Sequence, residues 1–156
     1  MKLNFGVVDQ LYAQPAPARK KGKDTGKTAK ATATSTGDVA GWLESEYHIM
    51  EIFFEVHKVE ITQLLEKALK GAMKNVLAGG PARPIPYSSA TPAIEKMFKQ
   101  FLSNQEMDGL GYPGVPTLAS LEGVSHRFAK KHGPERPSFI DTGLYQASFR
   151  AWFDEE

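Results

Sequence analysis

A chain of 156 residues with 41% apolar and 24% charged residues suits one globular domain, which should bury about 70% of the surface its unfolded chain exposes. With no cysteine it excludes disulfides, thiolate metal sites and a cysteine nucleophile, and no apolar run reaches the ~18 residues a membrane span needs. The net charge of +1 conceals an imbalance: between Pro15 and Thr36, Arg19, Lys20, Lys21, Lys23, Lys27 and Lys30 stand against Asp24 alone.

Leu3, Phe5 and Val7 alternate with Lys2, Asn4 and Gly6, and this predicts a short strand near the start. Residues 11–37 follow, rich in Pro, Lys, Gly and Thr and almost without large apolar side chains. They are expected to form a flexible basic arm or long loop, because little burial offsets the entropy of ordering them.

A helix is expected from Asp38, as a capping residue, to the paired glycines Gly79 and Gly80. Leu64, Leu65, Ala68, Leu69, Ala72, Met73 and Val76 carry helical spacing. Within residues 48–56, Met50, Ile52, Phe54 and Val56 also fit a period of two; helix is preferred to strand because no turn residue separates them from their neighbours. Thr91 and Pro92 then open an amphipathic helix with Ile94, Met97, Phe98, Phe101 and Leu102 on one stripe. Thr117 is expected to cap a further helix through Leu118, Leu121, Val124 and Phe128, ending at Lys130, Lys131 and His132 before Gly133. The last segment reads as one helical turn and a strand through Phe149, Ala151 and Phe153. Together these elements predict one helix-rich α+β domain, its amphipathic helices packed on a small antiparallel sheet.

Several motifs suggest chemistry. Asp141-Thr142-Gly143 after two apolar residues matches the start of an aspartic protease loop, in which paired carboxylates share a proton. Leu144 replaces the small residue that should follow, and only 13 residues remain for a flap and a further strand. A capped turn with Gly143 at an unusual backbone angle is the preferred reading. Gly22 to Thr28, GKDTGKT, has three residues between its glycines where a phosphate-binding loop needs four. His48, Glu51 and Glu55 fall on one helical face with Glu44 a turn earlier, and a solvated polar face is preferred there to a metal site. His57, His126 and His132 form no triad or zinc pattern, and Trp42 and Trp152 read as core or subunit contact. No catalytic, cofactor or metal residue is assigned, and no enzyme activity is expected.

The segment RPSFIDTGLYQASFRAWF does resemble something else. Arg136, Pro137, Phe139, Ile140, Asp141, Thr142, Gly143 and Ser148 stand at matching positions of the pattern R-P-x-apolar-apolar-D-T-G-x-apolar-x-x-S found near the end of neck or tail-completion proteins of tailed bacteriophages, which this segment resembles, with Tyr145 a looser match. The basic stretch GVSHRFAKKHGPERPS ahead of it, and the long helical segment earlier, are similar to that group too; the Lys-rich insertion departs from it.

The resemblance implies an α+β structural protein of the virion head-tail junction, assembled in the host cytoplasm. Its partners would be copies of itself in a sixfold or twelvefold ring and neighbouring neck, portal-adaptor or tail proteins, with no small-molecule substrate and no membrane. Arg136, Pro137, Asp141, Thr142, Gly143 and Ser148 would set a turn and contribute assembly contacts, while the basic arm would touch a partner or, nonspecifically, the packaged DNA. A tail terminator or collar subunit fits equally. A nucleic-acid-binding module using residues 19–30 is the rival from another class.

Overall fold

The computed structural model describes residues 1–12, 34–123, 133–140 and 142–154. The core is built where the first and last elements of the chain meet. Strand β1 (Lys2–Val7) pairs antiparallel with β2 (Phe149–Asp154), in a register that sets Val7 opposite Phe149 and Lys2 opposite Asp154. Leu3, Phe5, Phe149 and Ala151 turn to one face and pack on the core, as their alternation predicts. On the other face Trp152 lies over Gly6, where a Cβ would come within 2.9 Å of the indole ring. Glycine at this strand position therefore permits a close approach.

Helix α1 (Thr36–Tyr47) and helix α2 (Ile49–Leu77) replace the single helix expected from Asp38 to the paired glycines. The cap lies three residues earlier than expected. Ser35 accepts from the Asp38 amide at 3.2 Å while the Asp38 carboxylate accepts from the Ser35 amide at 3.0 Å, a reciprocal capping box. Thr36, fully buried, donates to the Val8 carbonyl at 2.7 Å and accepts from the Gln10 amide at 2.8 Å, so α1 is tied to the exit of β1. A bridge between Leu11 and Ser35 closes this junction. The ends of the expected 11–37 arm are thus structured, and residues 13–33 lie outside the described residues.

Between the two helices His48 adopts φ 51°, a left-handed conformation unusual for a non-glycine residue. Glu44 compensates: its two carboxylate oxygens accept from the amides of Met50 and Glu51, at 2.9 and 3.2 Å. A carboxylate here satisfies orphan donors and the positive end of the α2 dipole together. Residues 49–56 are helical, as preferred from the sequence.

Helix α3 (Thr91–Ser103) buries the stripe Ile94, Phe98, Phe101 and Leu102. Thr91 is its first residue rather than its cap, and its hydroxyl donates back to the Ser88 carbonyl. Phe53 of α2 sits at the centre, its ring 5.2 Å from Phe98, 5.6 Å from Phe101 and 5.9 Å from Phe5, while Phe98 stacks on Phe149 at 3.8 Å. These aromatic contacts join α2, α3 and both strands into one core. Thr117 caps α4 (Leu118–Leu121) through the Ser120 amide, as expected; the continuation predicted through Lys130 and His132 falls on residues 124–132, outside the described residues. One helical turn, α5 (Leu144–Ser148), leads into β2 in the order read from the sequence.

Candidate assembly surface

The signature segment emerges on the molecular surface beside α1. It borders an open groove of about 510 Å³, whose lining includes Val39, Trp42, Leu43 and Tyr47 from α1, Leu118 and Ser120 from α4, and Arg136, Pro137, Phe139, Ile140, Thr142, Gly143 and Tyr145. The structure therefore gathers Arg136, Pro137, Thr142 and Gly143 in one wall. Ser148 serves differently: it is buried, its hydroxyl donates to the Tyr145 carbonyl at 2.9 Å, and its carbonyl accepts from the Val8 amide at 2.8 Å. It joins α5 to β2 and to the exit of β1. Asp141 lies outside the described residues, as do Arg19, Lys20, Lys21, Lys23, Lys27 and Lys30, the GKDTGKT stretch, His126 and His132.

Local bonding explains why the wall holds its shape. The buried Ser138 hydroxyl meets the Ser120 hydroxyl at 3.1 Å and accepts from the Thr117 amide at 3.3 Å, while the Arg136 amide donates to the Ser120 carbonyl at 3.2 Å. These bonds clamp the Arg136–Ser138 backbone to α4. Phe139 then takes φ 66°, a conformation that costs a bulky residue about 1–2 kcal/mol. Its ring meets Tyr47 edge-on at 5.0 Å, and Tyr47 meets Trp42 at 6.1 Å. The strained turn aims an aromatic side chain at α1. Gly143, φ 73°, forms the cap of α5, and the Thr142 hydroxyl accepts from the Leu144 amide at 3.3 Å. This is the turn role expected for Thr142 and Gly143.

At the groove floor Tyr145 is buried and its hydroxyl has no hydrogen-bond partner among the described residues. Burial pushes its phenol above the ordinary tyrosine range, with the charge of Glu44 and then Tyr12 adding to the shift. The rim is apolar and exposed: Trp42 is 58% exposed and Leu118 75%. Trp42 is therefore no core residue, and Trp152 on the outer sheet face is 44% exposed. Sequence reasoning missed Ser120, Ser138 and Tyr47 as parts of this surface, since their partners lie far away in sequence.

A second recess of about 380 Å³ shares Tyr47 with the groove and is lined by Glu46, His48, Glu51, Glu55, Ile52, Tyr112 and Pro113. The polar row read from the sequence lies here. Glu44, His48 and Glu51 bring ligand atoms within 4.8 Å of one another, with His48 Nδ1 3.2 Å from Glu51. Because both Glu44 oxygens already cap α2, the cluster has a structural explanation. Elsewhere His57 Nε2 lies 3.1 Å from Glu106, a pairing the sequence did not signal.

No protein-family model matches the chain, and neither a curated protein nor a solved structure matches it. No helix among the described residues is long and apolar enough to cross a membrane.

Proposed function

We propose that this chain is a structural subunit of the head-tail junction of tailed bacteriophages, a neck or tail-completion protein that acts by closing into a homo-oligomeric ring. One observation carries the reading: the segment resembling that family forms a wall of an open apolar groove, with its turn held in a strained shape. Phe139 and Ile140 pack only partly against the core, and with Pro137 they share the groove lining with exposed Trp42 and Leu118.

Ring closure needs two different patches on every subunit, so that each contact repeats head to tail. The distal part of α2 offers a second patch, since Met73, Val76 and Leu77 are exposed there. Sixfold or twelvefold closure through these patches would leave the basic residues 19–30 to reach a neighbouring neck, portal-adaptor or tail protein, or the DNA in the channel, by charge alone. A terminator or collar subunit would use the same surfaces.

Negative-stain images of the purified protein test this. Closed rings of uniform diameter are expected, and they should persist when residues 15–33 are deleted, a cut that spares the Ser35 cap and the buried Thr36. Loss of DNA affinity on that deletion, in a protein that forms no ring on its own or on tailless heads, would favour the nucleic-acid-binding module.

A further inference from the structure

The two apolar surfaces differ in charge as well as in place. From Asp38 to Glu60 six acidic side chains stand against Lys58 alone, and three of them, Glu46, Glu51 and Glu55, line the recess that adjoins the groove. From Ile61 to Leu77 the balance reverses, with Lys67, Lys70 and Lys74 against Glu66. Positions 67, 70, 74 and 77 are separated by three, four and three residues, so these lysines and Leu77 share one face of α2. On the other side of the helix Ala68, Ala72 and Asn75 look toward Arg83, Pro86 and Ala93. Lys67, at the edge of the lysine face, also borders that side, whereas Lys70, Lys74 and Leu77 stand clear of it.

Leu77, 84% exposed, and Leu118, 75% exposed, are the two most exposed large apolar side chains among the described residues, and one lies on each surface. Helix α2 has 29 residues and spans about 43 Å. Its first turn adjoins the groove through Tyr47, so its far end cannot reach that groove within the same chain.

We propose that the Lys67–Leu77 face of one copy seats in the groove of the next copy, with Met73 and Leu77 against Trp42, Leu118 and Phe139, and the lysines against Glu46, Glu51 and Glu55. The inference rests on the ring reading above and names the contact that closes the ring. A second copy is the fitting occupant because the chain carries both halves of the match: an apolar tip flanked by positive charge, and an apolar groove, with Arg136 in one wall, that adjoins a recess holding three carboxylates. The contact joins two different patches, so it repeats head to tail, and opposite charges fix its direction.

The absence of native cysteine allows a direct test. Leu77→Cys and Leu118→Cys are made singly in the full chain, mixed, and oxidised mildly. The mixture should form the disulfide-linked pair of the two variants about tenfold faster than a control mixture of Val59→Cys with Leu118→Cys, through the local concentration that docking creates. Adding Glu46→Lys and Glu55→Lys to the Leu118→Cys partner should bring the rate down to the control. A rate equal to the control for the original pair overturns the docking. Light scattering on the unsubstituted chain separates the two failures: assembly without this cross-link defeats the contact alone, whereas no assembly and no cross-link defeats the ring reading with it.

Discussion

The two halves of α2 belong to one unbroken helix and have opposite uses. From Ile49 to Ile61 it buries Ile49, Ile52, Phe53 and Ile61 against α3 and the sheet, although β-branched and aromatic residues are indifferent helix formers. From Thr62 to Leu77 no residue is fully buried, and the composition shifts to Ala, Leu, Lys and Glu, which hold a helix by their own preference. Tertiary packing shapes the first half; the second packs only partly, through Leu64, Leu65 and Ala68, and intrinsic propensity carries its last turns. A helix end that stands with little packing, yet carries Met73, Val76 and Leu77 on its surface, is better suited to a partner than to its own fold.

Substitutions in the two regions should separate these roles. Phe53→Ala, at the aromatic centre, is expected to lower stability by about 3–5 kcal/mol in urea unfolding, because a large cavity opens among Phe5, Phe98, Phe101 and Phe149. Gly143→Val forces a β-branched residue to φ 73° and should lower stability by about 1–3 kcal/mol while weakening assembly, since the same turn shapes the groove wall. Unchanged stability and assembly in that variant would show that the turn does not depend on glycine.

Tyr145→Phe works in the other direction. Removing a buried hydroxyl that lacks a partner among the described residues should raise stability by about 1 kcal/mol. The pH dependence carries a second signature. The folded state holds the Tyr145 proton more tightly than the unfolded chain does, so this contribution is complete below the unfolded tyrosine pKa of about 10 and is lost as pH rises above it. The phenylalanine variant should lose less stability than its parent between pH 9 and pH 11, a range set by that reference pKa.

The smallest effect on folding should come from the far end of α2. Met73→Ser with Leu77→Ser should shift the unfolding midpoint by an amount worth only about 0.5 kcal/mol or less, yet abolish assembly. A large loss of stability there would mean that the distal half of α2 belongs to the core after all.

Much of this division could be read in the sequence. The alternation of Leu3, Phe5 and Val7, the stripe from Ile94 to Leu102, the Thr117 cap and the turn-then-strand order after Gly143 all appear as local patterns, and the structure has each of them. The break at His48 was hidden because no glycine or proline marks it; the compensation comes from a carboxylate four residues earlier, ordinary helix composition in any linear reading. Ser35 is hard to select as a cap for a related reason. It lies in a Thr- and Ser-rich run where many hydroxyls could serve, and only the tie between Thr36 and Val8 selects the register. The groove was the least legible feature, since it depends on Ser120 meeting Ser138 and on the positive φ of Phe139. Its signature wall was visible only as a resemblance.

The most direct test of the assembly claim is the mass of the purified protein in solution, measured by light scattering across a concentration series. Particles of six or twelve times the 17.2 kDa chain mass are expected, with the Met73→Ser, Leu77→Ser variant remaining at the mass of one chain. A single-chain mass for the parent at every concentration would contradict self-assembly through these two surfaces.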